Sequence, residues 1–234
     1  MASRRKLTRK DLVRQDEFGS RLEQAAVYVV DHPQPFLLGI AGVVVVAVAA
    51  MGWTLYAGSR NESAQAALGS VIRAYHDLSA FESDEARYQA ALAEANRVGE
   101  TYGGLPAGRI ARYYAALSHE GLGEIDEAVR LLGELAASSD AVIRPVARYA
   151  LGQTYKRQQD FDRAIGVYQD LLESGEHSAP ALVFEIAQLH EAAGRPAEAR
   201  SSYESLLANY PESVYQPEAE RALKRLGTAD SGDA

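Results

Sequence analysis

A helix-turn-helix pattern returns three times in the second half of this chain, at intervals of 36 and then 35 residues. A unit of that length cannot bury its own apolar face, so self-similarity at this period commits the chain to stacking one copy on the next. The clearest copy opens near Pro145 and reads Leu151-Gly152, Tyr155, Ala164, Tyr168 and Leu171. A later copy carries Ile186-Ala187, His190, Gly194, Ala199, Tyr203, Leu206 and Tyr210-Pro211. An earlier one carries Ala115-Ala116, His119, Gly123, Ala128, Leu132 and Leu135. Ala128, Ala164 and Ala199 fall where the two helices of a unit must approach closely, since a larger side chain there would hold them apart.

Leu-Gly-x-x-Tyr followed by Ala-x-x-x-Tyr resembles the tetratricopeptide repeat (TPR). The resemblance implies an all-α fold, a TPR-type solenoid whose concave face binds other proteins. Its clear repeats cover about residues 107–142, 143–178 and 179–213. Asn61 to Leu78 and Glu82 to Tyr102 read as two further helices, a degenerate first pair in which Ala91, Ala95, Val98 and Tyr102 echo the later second helices. Gly103-Gly104-Leu105-Pro106 then breaks the chain. A last helix from Gln216-Pro217 to Leu226 reads as a polar-faced cap, and residues 228–234 as a polar, disordered tail. No segment shows a convincing strand pattern.

In a TPR the residue two before the Leu-Gly pair faces the concave surface. Here it is Tyr113, Tyr149 and Phe184 in successive copies, an aromatic ladder. One turn further along lie Leu117, Gln153 and Gln188, followed by Glu120, Lys156, Arg157 and Glu191. An apolar stripe with amide rims suits an exposed hydrophobic segment or an amphipathic helix as partner. Rings at this slot also fill space between adjacent repeats, so ligand contact and packing both stay open.

A second feature concerns membranes. No formal charge occurs between Asp31 and Arg60. Residues 36–57 would form a helix about 33 Å long, enough to span a hydrocarbon core of roughly 30 Å. Ten of these 22 residues are Leu, Ile, Val or Phe, which favours insertion by roughly 3 to 6 kcal/mol. A polar segment of about 35 residues precedes the run, unlike the short head of a secretory signal, so an uncleaved single-pass anchor in the lipid bilayer is expected. Arg4, Arg5, Lys6, Arg9, Lys10, Arg14 and Arg21 flank it on the N-terminal side, against Arg60 and Arg73 on the other. Positive flanks stay in the cytoplasm, which puts the N-terminus inside, residues 58–227 outside, and Trp53 and Tyr56 at the outer interface.

Within residues 1–35, Phe18, Leu22, Ala25 or Ala26 and Val29 recur at helical spacing from Asp11 to Val30. That helix could lie on the inner membrane surface or bind a partner. His32-Pro33-Gln34-Pro35 ends it. The formal charge of −8 divides into +2 over these 35 residues and −10 over the rest, and an acidic outer domain argues against nucleic acid as a partner. With no cysteine, nothing depends on a disulfide or a thiol.

His32, His76, His119, His177 and His190 have no metal-ligand spacing; His119 and His190 share the repeat slot of Tyr155, which favours packing between helices. Glu124, Asp126, Glu127, Asp160 and Asp162 cluster at turns, where they read as caps and helix-dipole partners. No nucleophile elbow, phosphate loop or carboxylate pair is visible. The expectation is therefore a binding protein with no catalytic residue, no metal and no cofactor.

A short cytoplasmic tail, one Val-rich anchor with its N-terminus inside and an outer TPR domain resemble the YfgM-like ancillary subunits of the bacterial Sec translocon. That resemblance implies a place in the inner membrane, a periplasmic domain, lateral association with translocon subunits and with a membrane-anchored periplasmic chaperone of the prolyl-isomerase type, and contact with exported polypeptides. Leu206 to Tyr215, with Tyr210-Pro211-Glu212-Ser213, resembles instead TPR scaffolds of the cell envelope, which hold one dedicated partner.

Overall fold

A computed structural model describes the backbone of residues 33–230 and the side chains of residues 43–227. The expected amphipathic helix over 11–30 and the basic flank of the apolar run lie outside the described residues. Among the described residues there are nine helices and no strand. The chain divides between Arg60 and Asn61 into two units.

Helix α1 runs over Pro33–His76. Sequence placed a helix end near Ala57 and a new start near Asn61; the chain stays helical through that seam. Proline is absent from residue 36 to residue 105, and Gly58 costs only about 1 kcal/mol relative to alanine in a helix, which weakens but does not break it. Val43, Val46, Trp53 and Leu55 are each 68 to 70% exposed. Among the described residues, this one helix is long and apolar enough to cross a membrane.

In the second unit the end of α1 packs against α2 (Asp84–Tyr102), with Ala64, Leu68 and Val71 buried in the same cluster as Ala95 and Val98. Asp77 ends α1: its Oδ1 accepts the backbone N–H groups of Ser79 and Ala80, an Asx turn that competes with helix continuation. Ser83 then caps α2 by accepting the Ala86 N–H at 3.1 Å. Three pairs follow: α3 (Pro106–Gly121) with α4 (Ile125–Ala136), α5 (Ile143–Arg157) with α6 (Phe161–Ser174), and α7 (Ala179–Ala192) with α8 (Pro196–Asn209). Helix α9 (Gln216–Asp230) closes the array on α8, burying Ala219, Ala222 and Leu226. Glu218, Glu220, Arg221, Lys224 and Arg225 remain on its exposed side, the polar outer face a terminal helix needs.

Each helix packs mainly on its chain neighbours. Ala128, Ala164 and Ala199 are fully buried, as close approach requires. The turn inside each pair contains one residue with left-handed backbone: Gly123 at φ 79°, Gln159 at φ 60° and Gly194 at φ 70°. They stand 36 and 35 residues apart, so the backbone carries the same period as the side chains. Gln159 is the one that bears the Cβ penalty of this conformation. Gln159→Gly should therefore raise the unfolding free energy by about 1 kcal/mol, read as a shift in denaturation midpoint with unchanged slope.

The acidic turn residues divide. Asp160 caps α6 by accepting the Arg163 N–H at 3.1 Å, and Asp126, Glu127 and Asp162 sit in first turns as expected. Glu124 makes no side-chain cap; its carboxylate pairs with the ring of His119 at 2.5 Å.

Candidate functional site

The first helices of the three pairs, α3, α5 and α7, carry the predicted groove residues. Tyr113, Leu117, Tyr149, Gln153, Gln188 and Glu191 are partly buried, whereas Phe184 is only 7% exposed. Tyr149 and Phe184 of the aromatic ladder each meet two further rings. Tyr149 lies between Tyr168 of α6, with centroids 5.6 Å apart, and His177 of the following loop at 4.7 Å. Phe184 likewise meets two rings, Tyr203 of α8, tilted at 5.9 Å, and Tyr215 of the next loop, stacked at 4.9 Å. Offset ring pairs at such distances contribute about 0.5 to 1.5 kcal/mol beyond their buried area. Tyr113 instead meets Tyr114 edge-on at 5.9 Å, because Leu132 stands where the other repeats have tyrosine.

The sequence places Glu120, Lys156, Arg157 and Glu191 next after the amide positions on the groove face. The structure joins them from repeat to repeat. Arg157 Nε donates to Glu120 Oε1 at 2.9 Å, Lys156 Nζ to Glu185 Oε2 at 2.8 Å, and Arg225 of the cap to Glu191 Oε1 at 2.8 Å. Glu120, Lys156 and Glu191 are the same repeat position, so one edge of the array is a chain of ion pairs. Such half-exposed pairs contribute up to about 1 kcal/mol each and set register more than stability.

Charge alternation at this position explains a buried orphan. Tyr203 donates its hydroxyl to Glu191 Oε2 at 2.7 Å. Tyr168, the equivalent residue one repeat earlier, has Lys156 at the position of Glu191, and a cation offers no acceptor; its buried hydroxyl has no partner among the described residues. Burial pushes both phenols up, and at Tyr203 the Glu191 carboxylate adds to it. Tyr168→Phe should thus be neutral or stabilising by up to about 1 kcal/mol, whereas Tyr203→Phe should cost about 1.5 to 3 kcal/mol through loss of a bond to a charged acceptor. Paired denaturant titrations check both, and equal effects would refute the assignment.

His190 is partly buried, its enclosed Nδ1 has no partner among the described residues, and burial together with Arg195 lowers its pKa. Among the described residues, no three His, Cys, Asp or Glu side chains cluster as metal ligands would. A second aromatic group, which sequence did not single out, lies where the first helix pair meets α3. The Arg87 guanidinium sits 4.2 Å from the Tyr88 ring centroid and bonds to the Tyr75 carbonyl, while Tyr75 meets Tyr114 edge-on at 5.2 Å. This buried cation closes the end of α1 and reads as a clamp.

Two tetratricopeptide-repeat family profiles match the chain, over residues 111–139 and 149–214. Those residues carry tetratricopeptide repeats. A structure of TPR-like repeats from a kinesin light chain type protein of Podosopora anserina, in a point-substituted form, has 17% identity and a TM-score of 0.50, covering 75% of this chain and 86% of that one. BtubC (BKLC) from P. vanneervenii has 18% identity and a TM-score of 0.47, covering 76% of this chain and 93% of that one. No curated protein matches. At such identity the first likeness shows the solenoid fold alone, and TPR repeats make the second unit a protein-interaction module.

Proposed function

We propose that this chain is a membrane-anchored TPR adaptor that holds protein segments close to the bilayer on the face formed by α3, α5 and α7, as an ancillary factor of the Sec translocon. The observation that carries the anchor is α1, whose side chains from Val43 to Tyr56 are almost all apolar and are exposed around the whole circumference, a surface suited to lipid and unsuited to water. The Lys and Arg excess before it supports an N-terminus in the cytoplasm and a periplasmic TPR domain held at the inner membrane. Confinement beside a translocation pore raises the effective concentration of emerging chains, so a shallow groove suffices.

Tyr113, Leu117, Gln153 and Gln188 are the groove positions we assign to partner contact; Phe184 contributes by holding the stack in place. The ion-paired edge through Lys156, Arg157 and Glu191 supports a second reading. A face already neutralised from repeat to repeat suits one complementary partner, as on an envelope scaffold, as well as it suits many exported clients. Photocrosslinking in cells from a photoreactive residue at Leu117 and at Gln153 separates the two. Translocon subunits, a periplasmic chaperone and varied exported chains among the adducts support the Sec reading. One dominant envelope protein supports the scaffold, and no adduct from either position would refute this face as a site.

A further inference from the structure

Two of the three TPR repeats close one edge with the same ion pair, and the third does not. Arg109, in the first turns of α3, reaches Asp140 in the loop after α4 at 2.5 Å. Arg144, at the start of α5, grips Glu176 in the loop after α6 through Nε at 3.0 and 3.2 Å. In each case a guanidinium from the opening of a repeat meets a carboxylate from the loop that ends it. In the third repeat the place of Asp140 and Glu176 is taken by Pro211, with Glu212 one position on, and the places of Arg109 and Arg144 are taken by Pro180 and Ala179, so neither register supplies a guanidinium. Pro180, Tyr210, Pro211, Glu212 and Ser213 line a surface hollow of about 380 Å³ at that place.

Glu212 is exposed and has no ion-pair or hydrogen-bond partner among the described residues. It is not needed by its own turn. Asp140 supports its loop by accepting the N–H groups of Val142 and Ile143, but in the third repeat that part falls to Ser213, whose Oγ accepts the Tyr215 N–H at 3.2 Å. A free carboxylate beside a tyrosine ring and two prolines has the parts that hold a guanidinium: charge and paired acceptors from the carboxylate, and apolar or π contact along the plane.

We propose that this hollow is a docking site for an arginine side chain of a protein partner, which completes in trans the ion pair that Arg109 and Arg144 make in cis. Arginine fits better than lysine because both cis partners are arginines and because a flat fork can lie on Tyr210 while addressing both oxygens of Glu212. The site lies at the loop edge where α7 opens, shares no residue with the groove positions, and depends on neither the membrane nor the Sec reading.

The test is a titration of the full chain in detergent micelles with the pentapeptide Ac-Gly-Ser-Arg-Gly-Ser-NH2, followed through the backbone amide signals of Glu212 and Ser213. The same peptide with citrulline, neutral and of nearly equal shape, is the control. The arginine peptide should move both signals and bind about tenfold or more tightly than the citrulline peptide, since a hydrogen bond to a charged group contributes more than a neutral one. Glu212→Gln should lose that preference. Pro180→Arg should block the peptide and raise the thermal midpoint, and the rise should vanish in the Pro180→Arg, Glu212→Gln double variant. Equal binding of the two peptides, an unchanged preference in Glu212→Gln, or no signal movement with the arginine peptide would each overturn the proposal.

Discussion

Gly108→Ala should destabilise the TPR domain by about 3 kcal/mol, a fall of roughly 10 °C in its unfolding midpoint. A Cβ on Gly108 would stand 2.1 Å from the carbonyl oxygen of Tyr102 and 2.7 Å from the nitrogen of Gly103. Both atoms are backbone, so no rotamer change can relieve the clash. The end of α2 would have to leave α3, opening the cluster that joins the first helix pair to the clear repeats. Overpacking usually costs about 1 to 3 kcal/mol, and contact with main chain places this case at the upper end. Gly133→Ala is the control: nothing lies within 4 Å of its added Cβ, and alanine is the better helix former, so the domain should gain up to about 1 kcal/mol. Thermal melts of the two variants check the pair, and a Gly108→Ala chain that melts with the parent would show that α2 and α3 are not held at this distance.

Val44→Lys with Val46→Lys should release the chain from membranes. Each lysine near a bilayer centre costs about 2.5 to 3.5 kcal/mol and each lost valine removes a few tenths of favourable transfer, so the pair costs about 6 kcal/mol. That equals or exceeds the insertion gain expected from the apolar residues of 36–57. Lysine is a good helix former, so the helix itself should survive. Fractionation with a carbonate wash reads the outcome: the parent stays in the pellet and the variant moves to the supernatant. A parent that washes off, or a variant that stays, would count against an anchor in α1.

The repeats were legible because their determinants are local and periodic. Ala128, Ala164 and Ala199 repeat at intervals of 36 and 35 residues, and each answers to a steric demand that has few solutions. The candidate face was legible only as a row of positions. Nothing in a periodic pattern says that Phe184 is buried under other rings, because the rings that meet it, Tyr203 and Tyr215, lie 19 and 31 residues away. One signal was available: Tyr149 and Tyr168 share the spacing of Phe184 and Tyr203, 19 residues in each case. The rim was harder. Glu120, Lys156 and Glu191 look like unrelated charges along the chain, and their alternation becomes meaningful only when stacking places Arg157, Glu185 and Arg225 opposite them. The unbroken helix from residue 57 to 61 is hidden for an opposite reason: the composition changes there while the conformation does not, since no residue stops a helix.

The ring stacks also give the array a direction. Tyr149 is covered by His177 and Phe184 by Tyr215, in each case a ring supplied by the loop that follows the repeat. Each ring therefore takes its cover from the loop that leaves its own helix pair on the C-terminal side. Loss of α9 and the loop before it would uncover Phe184 first, and unravelling would uncover Tyr149 only once it reached the loop between α6 and α7 that carries His177. Dissolution of such a stack is a zipper with one free end, and amide exchange should be fastest at the C-terminus and slow progressively toward α3, a gradient set by nearest-neighbour coupling.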